Sequence, residues 1–145
     1  MFQRHPVQNN AMMFITTNTR DRVPVFQDAA NAREAVDSLY RVQELHPFFL
    51  YSFVIMPDHC HFLLNVPSPE SISRIMRVYK YGVCFNLGMS KLWQSRFHVK
   101  IISKIGPVTR YIHLNPVKAG LVATPEEYPW SSASGRWDVK ELEGW

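Results

Sequence analysis

His59 and His61 stand one residue apart in Met56-Pro-Asp-His-Cys-His, and the chemistry such a pair can do depends on the backbone beneath it. The flanking runs, Tyr51-Ser-Phe-Val-Ile-Met and Phe62-Leu-Leu-Asn-Val, are β-branched and aromatic, which places both histidines on a strand. Strand side chains alternate between faces, so the two imidazoles share one; on a helix they would point about 200° apart. Two imidazoles on one rigid surface make half of a divalent metal site. The same spacing also occurs in hydrogen-bonded histidines of a polar face, so further donors are required. Cys60, between the two, faces the other side and reads as a small buried hydrophobe.

A second set of donors lies further along. Gly106-Pro107 punctuates the chain, and residues 108–114 are expected to form a short helix, with Pro107 at its first position and Pro116 as its stop. Tyr111 and Asn115, four residues apart, then project from one face while His113 points away. If that face packs over the histidines, Asn115 adds an oxygen ligand and Tyr111 directs its hydroxyl at whatever the metal polarises. An imidazole pair with an amide oxygen suits Mg²⁺ or Mn²⁺ better than a structural zinc. His98 and His113 read as surface or packing residues, and Trp130 as a core anchor.

These groups need a frame. A first strand is expected over residues 11–17, followed by a polar loop on which Arg20 and Arg22 are candidate phosphate contacts. Asp28 offers an N-cap to a helix running through His46, with Ala32, Val36, Leu39, Tyr40 and Leu45 near one face and Pro47 ending it. Residues 48–53 and 59–66 read as antiparallel strands joined by a turn at residues 56–58. Ser68-Pro69 looks like a helix start, Ile72, Ile75, Met76, Tyr79 and Val83 continue it at helical spacing, and Gly88 ends it. A fourth strand is expected over residues 93–102. The order β, α, ββ, α, β is that of an α+β, ferredoxin-like (split βαβ) domain: an antiparallel sheet with helices on one face and the other open. At 145 residues and 46% apolar content, residues 1–145 form one domain with a substantial core.

The charge is uneven. Between Ser68 and Lys118 nine basic residues face Glu70 alone, so this segment carries +8 within a chain of net charge +4. That asymmetry favours a polyanionic partner. Arg74, Arg77 and Lys80 fall off the apolar helical stripe, and with Arg96 and Arg110 they are candidate nucleic-acid contacts. Interleaved aromatic residues (Tyr79, Tyr81, Phe85, Trp93, Phe97 and Tyr111) divide between base stacking and core packing. Met1-Phe-Gln-Arg-His-Pro has no apolar leader core behind it and no segment is long enough to span a membrane, so a soluble cytoplasmic protein is expected. The two cysteines, Cys60 and Cys84, indicate neither a disulfide framework nor a zinc knuckle.

Four motifs occur in a telling order: Met56-Pro-Asp-His-Cys-His-Phe-Leu-Leu, Leu92-Trp-Gln-Ser-Arg-Phe, Arg110-Tyr-Ile-His-Leu-Asn-Pro-Val-Lys-Ala-Gly-Leu-Val and Tyr128-Pro-Trp-Ser-Ser. On these residues the chain resembles the IS200-like, single-tyrosine transposases of the His-hydrophobic-His superfamily, most closely their relatives associated with repetitive extragenic palindromes (REP). The resemblance implies a ferredoxin-like fold and a hairpin-forming single-stranded DNA substrate bearing a palindromic repeat; it allows a dimer, as in IS200-like enzymes, or a monomer, as in some palindrome-associated relatives, and a homodimer is the preferred expectation. By the same resemblance His59, His61 and Asn115 are metal ligands and Tyr111 is the nucleophile, leaving a 5′-phosphotyrosine and a free 3′-hydroxyl. Two positions depart from the pattern: Asp58 stands where the family often has Asn, and the stretch Lys104-Ile-Gly-Pro-Val-Thr is shorter than usual. Two other accounts stay open, a catalytically inactive nucleic-acid-binding module on the same fold and a metal-dependent phosphodiesterase that uses water.

Overall fold

The computed structural model describes residues 11–141, so the Met1-Phe-Gln-Arg-His-Pro stretch and the expectation resting on it lie outside the described residues. Strand β1 (Met12–Thr19) alternates buried and half-buried side chains along its whole length. Helix α1 (Ala29–Leu45) starts where expected, because the Asp28 carboxylate accepts hydrogen bonds from the amides of Ala30 at 2.8 Å and Asn31 at 3.3 Å. Its last residue, Leu45, is exposed rather than on the buried face. Strands β2 (Phe49–Met56) and β3 (His59–Asn65) form a hairpin through Pro57 and Asp58. Helix α2 (Ile72–Leu87) begins later than the Ser68-Pro69 signal suggested: Ser71 is the N-cap, its hydroxyl accepting from the Arg74 amide at 3.2 Å. Residues 67–70 are instead closed into a turn by the Glu70 amide on the Pro67 carbonyl. Gly88 ends α2 at φ +66°, a left-handed conformation that glycine adopts without a Cβ clash.

Strand β4 (Trp93–Ile102) matches its expected span, whereas helix α3 (Ile105–Lys118) is longer at both ends than expected. Pro107 falls within the first turn, where a missing N–H breaks no bond. Pro116 falls in the last turn, and the chain continues helically around it because the Ala119 amide still reaches the Asn115 carbonyl and Leu121 reaches that of Pro116.

The antiparallel sheet has the order β2-β3-β1-β4, the ferredoxin-like arrangement. Alternation sends Met13, Ile15, Phe53, Ile55, Cys60, Phe62 and Leu64 to one face, where they pack with the apolar stripes of α1 and α2 in the main core. The second face is not wholly open. Helix α3 lies across it over β2 and β3, and Ile112 joins Val54, Met56, Leu63 and Tyr128 in a smaller apolar cluster. The edge of β2 is closed by the segment carrying Tyr128-Pro-Trp-Ser-Ser: Ser131 bridges Val54, the Ile55 amide donates to the Trp130 carbonyl, and the Phe53 amide donates to Ser132 Oγ. Trp130 packs against both clusters, as an anchor should. No helix among the described residues is long and apolar enough to cross a membrane.

Candidate active site

Strand pairing brings the histidines of β3 beside β1 on the second face. His61 pairs with Thr16 and His59 with Asn18, and the two imidazole rings lie 4.8 Å apart between centroids. Each ring is held by its Nδ1. The Asp58 carboxylate sits 2.7 Å from Nδ1 of His59, so that nitrogen donates to it. Thr16 Oγ1 lies 2.9 Å from Nδ1 of His61. Anchoring one ring nitrogen through an oxygen partner frees and orients the other, the usual outer arrangement around a metal-binding histidine.

Helix α3 supplies the rest. Asn115 Nδ2 lies 3.5 Å from Nε2 of His59, and a turn of the carboxamide puts its oxygen in the same place. The Tyr111 ring meets His61 edge-on at 5.6 Å, and Phe14 stacks on His61 at 5.0 Å while presenting its edge to Tyr111 at 6.0 Å. The shared face read from the spacing of Tyr111 and Asn115 is therefore turned toward the histidine pair. His113 points elsewhere, its Nε2 2.8 Å from Ser132 Oγ. Tyr111 is 48% exposed, which leaves its ring accessible from solvent.

Burial sets the electrostatics. His61 is only 5% exposed, and burial, with His59 beside it, lowers its pKa to about 4 against the counter-effect of a backbone hydrogen bond with Ile15. It is therefore a neutral donor at pH 7. For Asp58, burial works to raise the pKa, but hydrogen bonds to His59 and Arg22 and their charges outweigh it, so the carboxyl is held below its usual range. The Arg22 guanidinium donates to Asp58 Oδ2 at 3.1 Å from a turn in which Asp21 and Arg22 both have φ +56°. Two successive non-glycine residues in the left-handed region are costly, of the order of 1 kcal/mol each. The turn is secured by the Thr19 amide and hydroxyl on the Asp58 carbonyl and by the Arg20 amide on that of Leu92. The aspartate at position 58 thus serves as a clamp between Arg22 and His59, on the Nδ1 side of the ring.

Among the described residues no three His, Cys, Asp or Glu side chains converge on a common point, so the donor set is the two imidazoles and Asn115. Two imidazole nitrogens and one amide oxygen fit a divalent cation that keeps open positions, and do not fit a closed thiolate-rich zinc shell. Of the basic residues singled out by sequence, Arg22 reaches the site and Arg20 adjoins it on the same turn. Arg110 is exposed next to Tyr111 on α3, and Arg96 is exposed on β4. Arg74 and Arg77 are exposed on α2, on the opposite side of the sheet, and Lys80 is drawn to the Gln94 carbonyl at 2.8 Å. Phe14 and Thr16 were missed as site residues. Both stand in the first strand at alternate positions, but only the register against β3 brings them to His61.

The molecule is thus a ferredoxin-like α+β domain whose sheet and added helix α3 present an imidazole pair, a carboxamide and an accessible phenol together on the second face. The chain belongs to the IS200-like transposase family, whose model matches residues 7–115. A REP-associated tyrosine transposase of Escherichia coli K12 is 27% identical over 99 residues, covering 66% of this chain and 60% of that protein. A relative from Haemophilus influenzae is 30% identical over 107 residues, 61% of each chain. This chain therefore spans about three-fifths of the length of those curated relatives. A solved structure of a REP-associated tyrosine transposase bound to a REP hairpin matches with a TM-score of 0.78 at 24% identity, over 93% of this chain and 90% of that one. That likeness shows a shared fold.

Proposed function

We propose that the protein is a metal-dependent single-tyrosine transposase that cleaves and rejoins hairpin-containing single-stranded DNA through a 5′-phosphotyrosine intermediate. The observation that carries this reading is the convergence of Asn115 and Tyr111, from one face of α3, on the His59–His61 pair of β3. Family membership and a neighbour of the same fold bound to a REP hairpin support DNA of that kind as the partner.

His59 and His61, through Nε2, and Asn115, through its amide oxygen, would hold Mg²⁺ or Mn²⁺. Bound there, the ion would supply Lewis-acid polarisation of a phosphate oxygen and offset developing charge. The protein's own residues do the remaining work. The Tyr111 hydroxyl is the nucleophile. Phe14 and His61 restrict its ring from two sides, holding the hydroxyl for an in-line approach. Its oxygen forms a bond to phosphorus, the bond from phosphorus to the 3′-oxygen breaks, and the phenolic proton ends on the released 3′-hydroxyl through solvent. Attack by another 3′-hydroxyl reverses the exchange without ATP, because the phosphotyrosine keeps the diester energy. Arg20, Arg22, Arg96 and Arg110, with Lys80, Arg74 and Arg77 on the α2 side, would contact phosphates. The assembly taken for it is a homodimer.

The test is incubation of a labelled single-stranded hairpin with the protein and Mn²⁺, followed by denaturing electrophoresis. The native protein should form a covalent adduct that EDTA suppresses and Tyr111→Phe abolishes. No adduct with the native protein, or an undiminished one with Tyr111→Phe, overturns the mechanism.

A further inference from the structure

On α2, across the sheet from Tyr111, the fold leaves two aromatic rings in solvent. Tyr81 is 68% and Phe85 72% exposed. They stand one helical turn apart and stack, with ring planes within 22° of parallel and centroids 6.1 Å apart. They line a groove of about 520 Å³ together with Met89, Trp93 and Lys80. Lys80 holds its ammonium 6.0 Å from the Trp93 ring, and no acidic side chain among the described residues lines the groove. The surrounding segment carries the nine-to-one excess of basic over acidic residues between Ser68 and Lys118.

The groove is also linked to the site. Lys80 Nζ donates to the Gln94 carbonyl at 2.8 Å, the Gln94 side chain accepts from Asn18 at 3.2 Å, and Asn18 pairs with His59. Both places therefore lie at the same end of the sheet, on either side of the start of β4.

We propose that this groove is a stacking subsite for unpaired nucleobases of a single strand whose neighbouring nucleotides lie at the Tyr111 site. The occupant is chosen by charge and shape: exposed, near-parallel rings accept any base face, while the Lys80 ammonium, with no carboxylate among the described lining residues, favours a phosphate backbone. The inference deepens the DNA reading above and rests on it.

Fluorescence anisotropy on the full chain would compare a short oligo(dT) with an abasic strand of the same length and phosphate count. The native protein should bind oligo(dT) about tenfold more tightly than the abasic strand. The Tyr81→Ala/Phe85→Ala variant should bind both equally, and Phe85→Trp should keep the preference. No preference in the native protein, or an unaltered one in the double variant with its circular dichroism intact, overturns the proposal. Self-association that the double variant abolishes, with base preference retained, would assign the groove to a second copy and also overturn it. The readout involves no cleavage, so loss of the Tyr111 adduct reading would leave this result standing, and the reverse also holds.

Discussion

Strand β3 carries two surfaces one residue out of phase. On one, Cys60, Phe62 and Leu64 are fully buried beneath α1 and α2, and the Cys60 thiol is pushed well up in pKa by that burial. On the other, His59 and His61 face α3, and Nδ1 of each ring meets an oxygen from Asp58 or Thr16. The first surface is held by volume and the second by matched polar atoms. The comparison teaches that the apolar side fixes the backbone, so that imidazoles on the other can be partly desolvated and still oriented.

The comparison breaks most visibly at Phe62, which is fully buried and meets Tyr79 edge-on at 5.3 Å. Phe62→Ala should cost about 3–5 kcal/mol of unfolding free energy, read by urea denaturation. Asn115→Ala, across the sheet, should stay within about 1 kcal/mol of the native protein while weakening Mn²⁺ binding. Equal destabilisation by the two would show that the faces are not divided in this way.

A somewhat smaller effect separates the faces by pH. Because the folded-state pKa of His61 is about 4 rather than 6.5, the unfolded chain takes up the proton first as the solution is acidified. This contribution is present in full above pH 6.5 and falls away between about pH 6.5 and 4, by up to about 3 kcal/mol. Asp58 works in a lower window: its depressed pKa gives stability above the unfolded value of 3.8, lost as pH falls through the folded value. Urea titrations at pH 7 and 4.5 should therefore show a loss in the native protein that His61→Phe reduces, the remainder belonging with His113, whose pKa burial also lowers. An undiminished slope in His61→Phe would place the titrating group elsewhere.

Local rules made much of this site legible. Period-two alternation put His59 and His61 together with Cys60 behind them, and four-residue spacing put Tyr111 beside Asn115. The cap at Asp28 and the stop at Gly88 are equally local. What escaped depends on pairing between distant segments. Thr16 reaches His61 only through the β1–β3 register, and α3 covers the second face only because Ile112 finds Val54 and Leu63. Tyr128-Pro-Trp-Ser-Ser could be recognised as a motif, but its work of closing the β2 edge needs the fold, as does the position of Arg74 and Arg77 across the sheet from Tyr111. Helix α2 began at Ser71 because two serines compete for the same start, and sequence alone favoured the one followed by proline.

The finest division between the faces runs through two adjacent threonines of β1. Thr16 pairs with His61 and its hydroxyl holds the ring; Thr17 pairs with Cys60, is fully buried, and its hydroxyl has no hydrogen-bond partner among the described residues. Removing an oxygen that orients a ligand should matter to the ion, whereas removing a buried hydroxyl without a partner relieves a desolvation cost. Thr16→Val should therefore weaken Mn²⁺ binding about 10–100-fold by calorimetric titration with little change in unfolding free energy. Thr17→Val should leave Mn²⁺ affinity unchanged and be neutral or slightly stabilising. Unchanged Mn²⁺ affinity in Thr16→Val would mean that the stack on Phe14 and the backbone hydrogen bond with Ile15 suffice to orient His61.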